Sequence, residues 1–174
     1  MQEQKKREAY RCLVIITDSH IREQLCEFLA DSHIPVYYQM HGIGTASSEW
    51  LELCGLGSIQ KSITLCFIPN GRKKILLAEM NQALSLHKKG TGIAVSIPMN
   101  GMQGFLYKLL NEHTAESDGE EVEKEVKKMS EPITHAMILV TINQGYSDAV
   151  MNTARAAGAT GGTILKGLRC SPCL

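Results

Sequence analysis

The first hundred residues alternate between the two hydrophobic periods that distinguish strands from helices. Residues 12–16 are apolar without interruption, which predicts a central strand covered on both faces. Apolar residues then recur every three or four positions over 21–29, as they do on one face of an amphipathic helix. Pro35 ends that helix, and the aromatic and β-branched residues at 36–41 predict a second strand.

The same order of elements repeats between residues 62 and 97. Apolar and small polar residues alternate over 62–68, which predicts a strand with one aliphatic and one small polar face. After Pro69-Asn70-Gly71, helical spacing places a second apolar stripe at Leu76, Met80, Ala83, Leu84 and His87. A glycine turn then leads into a last strand at 93–97. Two successive βαβ units predict an α+β, ferredoxin-like domain over residues 10–102, with four antiparallel strands and both helices on one face.

Beyond this domain the chain changes character and then repeats itself. Residues 111–132 are rich in acidic side chains, so we interpret them as a linker. A shift of 125 positions lays the apolar run at 13–16 over 138–141, Asp18 over Asn143, and His41-Gly42 over Lys166-Gly167. Residues 134–174 are therefore predicted to form an incomplete second βαβ unit, whose strand edges need cover from elsewhere.

Length and composition exclude several classes to which this protein could belong. A chain of 174 residues provides one ordinary domain, or one domain and part of another. Eighteen basic residues cancel eighteen acidic ones, so no overall field attracts nucleic acid or an anionic membrane. No apolar run reaches the roughly 18 to 20 residues that span a bilayer, and the first one is too short for a secretory signal. We expect a cytoplasmic protein that neither binds nucleic acid nor inserts into membranes.

The second unit contains three distinctive motifs: Gly145-Tyr146-Ser147-Asp148, Ala154-Arg155-Ala156-Ala157-Gly158-Ala159 and Thr160-Gly161-Gly162-Thr163. Together they resemble the PII family of nitrogen-regulatory signalling proteins, most closely the tandem PII-like proteins. The glycines at 42 and 44 and the turn at 90–92 fit the same family. The resemblance implies a ferredoxin-like homotrimer that binds an adenine nucleotide, whether ATP, ADP or AMP, between its subunits. It also implies control of a partner protein in nitrogen regulation.

Two glycine turns are the candidate nucleotide-binding elements. Glycine lets backbone N–H groups approach a phosphate closely, and a neighbouring cation adds attraction. These two requirements, together with the resemblance to the PII family, select two sets of candidate residues. They are Lys89, Gly90, Thr91 and Gly92 in the first unit and Gly161, Gly162 and Thr163 in the second. The competing interpretation is an ordinary helix-to-strand turn, which needs the same glycines. The chain departs from the family in having Ile93 and Ala94 where a phosphate-clamping Lys follows the turn, and in lacking a Tyr for uridylylation within 45–59.

The stretch 42–59 is the candidate partner-binding loop. It is longer than most connections in compact domains, and loops of that length are commonly functional. Gly42 and Gly44 mark one end, while Trp50, Leu51 and Leu53 form an apolar cluster in the middle. Because Trp is enriched at the centres of protein interfaces, we expect this cluster to contact a partner protein.

The alternative is a trimeric small-molecule or divalent-metal-binding protein of the same fold, without a signalling role. His41 and Cys54 are its candidate ligands, although the six His lack the paired spacing that seats a metal on one element. No complete catalytic set is visible, so we do not expect an enzyme. Cys170 and Cys173 form a CxxC pair without a second pair to complete a zinc site, and we interpret it as an inert tail.

Overall fold

The chain divides into two units, and an antiparallel sheet is the frame of the first. The computed structural model describes residues 9–43, 60–88, 91–114 and 136–171. The first unit comprises Met1–Val122 and Lys166–Leu174, and the second comprises Glu123–Leu165. The end of the chain therefore belongs to the same unit as its beginning.

The first unit contains five strands and three helices among its described residues. The strands are β1 (Tyr10–Asp18), β2 (Tyr37–Ile43), β3 (Gln60–Pro69), β4 (Gly92–Pro98) and β5 (Gly167–Cys170). The helices are α1 (Arg22–Asp31), α2 (Lys73–Leu84) and α3 (Gly104–Thr114). Short 3₁₀ turns at Ser19–Ile21 and Asn70–Arg72 lead into α1 and α2.

The sheet runs in the order β4-β1-β3-β2-β5, and every neighbouring pair is antiparallel. β1 lies between β3 and β4, so both of its edges are hydrogen-bonded. This position explains its uninterrupted apolar run, because a paired strand with covered faces exposes almost nothing to water. The α+β, ferredoxin-like fold predicted from the two periods is confirmed, and β5 adds a strand to the four predicted.

The main core lies between one face of the sheet and the two helices α1 and α2. Leu25 and Leu29 of α1 and Leu76 and Met80 of α2 are at most 1% exposed. They pack with residues of β1, β2 and β3 in one continuous cluster. Burying each large aliphatic side chain contributes about 1.5 to 3 kcal/mol, so this layer carries most of the stability of the unit.

A third helix, which was not predicted from the sequence, covers part of the opposite face. Leu110 of α3 is buried in a second cluster with Tyr10, Cys12 and Phe67. The Tyr10 hydroxyl donates a hydrogen bond of 2.6 Å to Oδ1 of Asn111. α3 overlaps the first residues of the predicted acidic linker 111–132, of which residues 115–132 lie outside the described part of the chain.

The second unit departs from the strand predicted at its start. α4 (Ser147–Ala156) spans the very positions that the 125-residue shift assigns to α1, but residues 138–141 form no strand. Ile138 is 84% exposed and Val140 is 54% exposed. A segment without a neighbouring strand leaves its backbone groups to water and gains no hydrogen bonds from a sheet. The second predicted strand is also displaced, since β5 begins only at Gly167, belongs to the first unit and pairs there with β2.

Candidate functional site

A cleft of about 180 Å³ opens in the first unit beside the end of β2. The start of α1, the end of β2 and the start of β5 surround it, with β3 beneath. The residues that line it are Arg22, Gln39, Met40, His41, Ser62, Lys166, Gly167 and Leu168. Residues far apart in the sequence therefore meet at one end of the sheet.

Gly167 allows β5 to form one wall of this cleft. A Cβ at this position would lie 2.8 Å from Cγ of Met40 and 3.1 Å from the carbonyl oxygen of Gln39. Both distances are shorter than ordinary van der Waals contact, so a side chain here would push the two strands apart. The glycine thus sets the close pairing of Met40 with Gly167 and fixes the position of Lys166 beside it.

The charged side chains of the cleft are all basic. Arg22 and Lys166 carry positive charge, His41 is exposed at the mouth, and no carboxylate belongs to the described lining. Nε of Arg22 donates a hydrogen bond of 3.2 Å to Oε1 of Gln39, which is 4% exposed. This bond orients the guanidinium group, whose terminal N–H groups donate no hydrogen bond to the described residues and could serve a ligand.

The floor of the cleft contains a buried hydroxyl group. Ser62 is 1% exposed, and its Oγ has no hydrogen-bond partner within the described residues. Thr17 and Thr64 contribute two more such hydroxyls on the same face of the sheet. A buried hydroxyl without a partner costs about 1 to 3 kcal/mol. Of these three residues, only Ser62 borders the cleft.

Two titratable groups behind the cleft, Tyr37 and Cys170, have raised pKa values. Nε2 of Gln39 donates to Sγ of Cys26 at 3.1 Å. Burial, together with the neighbouring Cys26 thiol, raises the pKa of Tyr37 to about 12. Burial, with a further contribution from Cys26, also raises the pKa of the Cys170 thiol. The phenol and the Cys170 thiol therefore keep their protons and add no negative charge that would offset Arg22.

The predicted nucleotide turn of the first unit is engaged within the fold. The Thr91 hydroxyl donates to the carbonyl oxygens of Ser85 at 3.0 Å and Lys88 at 2.9 Å. A Cβ at Gly92 would lie 2.6 Å from the carbonyl oxygen of Ile16, so this glycine allows β4 to approach β1. The other two predicted residues, Lys89 and Gly90, lie outside the described residues. Nucleotide binding at this turn stays a prediction.

The second predicted turn lies in the second unit, where its residues are exposed. A Cβ at Gly162 would lie 2.8 Å from Sδ of Met151. Gly162 borders a shallow depression of about 470 Å³ together with Asp148, Met151, Asn152, Arg155 and Ile164. Gly161 and Thr163 do not border it. Binding at Gly161, Gly162 and Thr163 also stays a prediction.

Most of the predicted partner loop lies outside the described residues. Gly42 is in β2, where a Cβ would lie 3.0 Å from Cδ1 of Ile63. Gly44, Trp50, Leu51 and Leu53 are not described, and neither is the candidate ligand Cys54. The other candidate metal ligand, His41, borders the cleft. Within the described ranges, no three His, Cys, Asp or Glu side chains come close enough to hold a metal.

No sequence pattern predicted that Arg22, Ser62 and Lys166 would border one site. One signal pointed to it: the 125-residue shift lays His41 over Lys166, and both residues border the cleft. The repeat could not show that the two equivalent segments pair with each other along β2 and β5.

The fold is similar to that of several solved structures. One is a functionally unknown protein from Pediococcus pentosaceus, with 13% identity, a TM-score of 0.43, and coverage of 55% of this chain and 97% of the other. Another is the divalent ion tolerance protein CutA1 from Ehrlichia chaffeensis, with 9% identity, a TM-score of 0.42, and coverage of 62% and 96%. A third is a Bacillus cereus protein related to NIF3, with 14% identity and a TM-score of 0.40. The match covers 54% of this chain but only 26% of that protein. No family model and no curated protein matches the sequence.

These similarities concern the α+β fold alone and assign no function to the cleft. Among the described helices, none combines the length and the apolar character that crossing a membrane requires.

Proposed function

We propose that the protein is a self-associating, PII-like regulatory protein that binds a small molecule in the cleft and signals through the loop 42–59. The observation that carries this proposal is the position of the cleft. Its lining includes Met40 and His41, which directly precede the first residue of the loop. A ligand in the cleft would therefore contact the strand from which the loop starts. It would bias the loop by binding its two states with unequal affinity.

Self-association is proposed from the part of the second sheet face that α3 leaves open. On β3 the small polar residues Ser62 and Thr64 face the helices and are buried, whereas Ile63 and Leu65 lie on the opposite face. On the same open face of β4, Ile93 is 46% exposed and Val95 is 48% exposed. An apolar sheet face gains about 25 cal/mol for each Å² that a second copy removes from water. The resemblance to PII proteins supplies the number three for the assembly.

The finer parts of the proposal follow from the same resemblance. The effector would be of the adenine nucleotide class, and the protein controlled would act in nitrogen regulation. The chain itself would perform no catalysis. A divalent metal is the alternative effector, with no signalling role.

Trp50 provides the test of the regulatory function, because it is the single tryptophan of the chain and lies in the loop. Thermal unfolding and Trp50 fluorescence would be recorded with ATP, ADP, AMP and divalent cations in turn. A ligand at 100 times its dissociation constant should raise stability by about 2.7 kcal/mol. We expect an effector to stabilise the protein and to change the Trp50 emission. If each stabilising compound leaves the emission unchanged, the signalling function is wrong.

A matched pair of variants tests self-association. Val95→Lys places a charge on the open sheet face, whereas Ile75→Lys places one on α2, where Ile75 is 52% exposed. Sedimentation should show that Val95→Lys lowers the assembled fraction and that Ile75→Lys leaves it unchanged. A wild-type protein that stays monomeric at every concentration would refute this part of the proposal.

A further inference from the structure

We propose that the cleft beside β2 binds the phosphate group of a small ligand, through Arg22, Lys166 and the hydroxyl of Ser62. The inference rests on the proposed function in taking this cleft as the effector site. It goes further by naming the chemical group that the cleft recognises and the residues that recognise it. None of these three residues belongs to the glycine turns singled out from the sequence.

Charge is the first reason for a phosphate group. Arg22 and Lys166 place two cations around one small cavity, and the described lining contains no acidic side chain. A dianion compensates two cations, whereas a neutral or cationic ligand would leave both uncompensated. The guanidinium of Arg22 suits an oxyanion because its planar N–H groups match two oxygens at once. The Gln39 side chain already holds this group in place through Nε.

The second, independent reason is the hydroxyl at the floor. Ser62 is 1% exposed and borders the cavity, and its Oγ is without a hydrogen-bond partner among the described residues. Buried polar groups are rarely left unsatisfied, and a bound ion or water is one explanation for those that are. An oxyanion would offer acceptor oxygens to this buried O–H. Cations at the mouth and a donor at the floor can then surround one group.

The volume of the cleft limits what it can enclose to a phosphate group and not a whole nucleotide. The cleft encloses about 180 Å³, below the roughly 300 to 1,000 Å³ of pockets that enclose drug-sized molecules. A phosphate fits in this volume, while an adenosine attached to it would extend through the mouth, past His41. The exposed position of His41 leaves that direction open to solvent.

Inorganic phosphate is the probe for the experiment, and the full chain is used. Its effect on thermal unfolding is compared with that of succinate and of sodium chloride at equal ionic strength, which controls for screening. We expect saturable stabilisation by phosphate, with chloride without effect. Equal stabilisation by chloride, or tighter binding of succinate than of phosphate, would overturn the inference.

The first matched pair of variants replaces one lysine inside the cleft and one outside it, and compares their phosphate binding. Lys166→Gln removes a cation from the cleft, and Lys88→Gln removes one from the exposed turn before Thr91. A hydrogen bond to a charged group contributes about 1.5 to 3 kcal/mol, so Lys166→Gln should weaken phosphate binding roughly tenfold or more. Lys88→Gln should leave it unchanged. The reverse pattern would move phosphate to the glycine turn and refute the assignment.

Ser62→Ala separates ligand binding from a structural role. Without ligand, this variant should be as stable as the wild type or more stable, because it removes a buried hydroxyl that has no described partner. It should nevertheless bind phosphate several-fold more weakly. If the variant loses stability without ligand and binds phosphate as the wild type does, the hydroxyl serves the fold and the inference is wrong.

Trp50 emission distinguishes failure of this inference from failure of the proposed function. Phosphate binding that depends on Lys166 but does not change the Trp50 emission supports the phosphate site and contradicts the signalling function. An effector that changes Trp50 emission equally in the wild type and in Lys166→Gln supports signalling but contradicts the site.

Discussion

The helix α1 and its repeat α4 coincide residue for residue, whereas the strands that precede them do not. Arg22–Asp31 and Ser147–Ala156 are related by the 125-residue shift, and both are helical. The same shift relates Leu13, which is 0% exposed in β1, to Ile138, which is 84% exposed and outside any strand. The repeated sequence pattern therefore gives a helix in both copies, but it gives the preceding strand only in the first copy.

The difference follows from where each element finds its hydrogen bonds. A helix bonds its backbone within its own segment, so similar residues give similar helices in both places. A strand needs partners, and β1 has them on both sides in β3 and β4. No described strand lies beside 138–141. β-propensity is accordingly the more context-dependent of the two tendencies.

The largest expected effect on the free energy of unfolding comes from replacing a residue of one copy with its counterpart in the other. Asp18 forms a buried ion pair with Lys61, and the shift assigns Asn143 to the position of Asp18. Asp18→Asn leaves the Lys61 cation uncompensated and should lower the free energy of unfolding by about 3 to 5 kcal/mol. Asn143→Asp should change it by less than about 0.5 kcal/mol, because Asn143 is exposed. Urea unfolding at fixed protein concentration measures both, and equal effects would contradict the contrast between the units.

A core substitution tests the same contrast with apolar residues. Leu13→Ala removes a side chain of β1 that is fully buried in the main core, and should cost about 2 to 5 kcal/mol. Ile138→Ala, at the equivalent position, should cost less than about 0.5 kcal/mol. A large loss from Ile138→Ala would show that this segment is buried in the solution state, and that the two halves of the repeat resemble each other more closely.

Local periodicity was sufficient to predict the four-stranded part of the fold. Buried strands and amphipathic helices each leave a period in the sequence, and β1 to β4 with α1 and α2 follow those periods. α3 was missed although five of its eleven residues are apolar, because the acidic composition from residue 111 onward favoured a linker across its end. Its stability comes from contacts such as that of Leu110 with Phe67, which no local pattern shows.

The cleft could not be predicted because it depends on one tertiary pairing. β5 joins β2 across more than a hundred residues, and only then do Lys166 and Arg22 border the same cavity. Gly167 was visible as the counterpart of Gly42, but its role in close strand contact depends on the Met40 side chain opposite it. Sequence spacing identifies residue types and cannot show their convergence.

A pair of glycine substitutions tests that pairing directly. A Cβ at Gly167 meets the Gln39 backbone as well as Met40, whereas a Cβ at the equivalent Gly42 meets only the flexible end of Ile63. Gly167→Ala should therefore cost about 1 to 3 kcal/mol by overpacking, and Gly42→Ala should cost less. Hydrogen exchange of the β5 amides should accelerate in Gly167→Ala alone. Unchanged protection in that variant would mean that β5 tolerates a side chain, and that the glycine does not set the wall of the cleft.

The smallest expected effect concerns alkaline pH and again separates the two units. Burial raises the pKa of Cys66 in β3 from 9.0 to about 12, and residues 123–165 contain no cysteine. The folded protein keeps the Cys66 proton while the unfolded chain releases it above pH 9, so the stability present below pH 9 is lost progressively as the pH rises towards 12. Between pH 8 and pH 10 this loss should amount to about 1 kcal/mol. Cys66→Ala should be less stable at every pH but should lose less between these two values, since the group that titrates only in the unfolded chain is gone. Urea unfolding at pH 8, 9 and 10 measures both slopes, and identical slopes would show that the Cys66 thiol is not the source of the alkaline sensitivity.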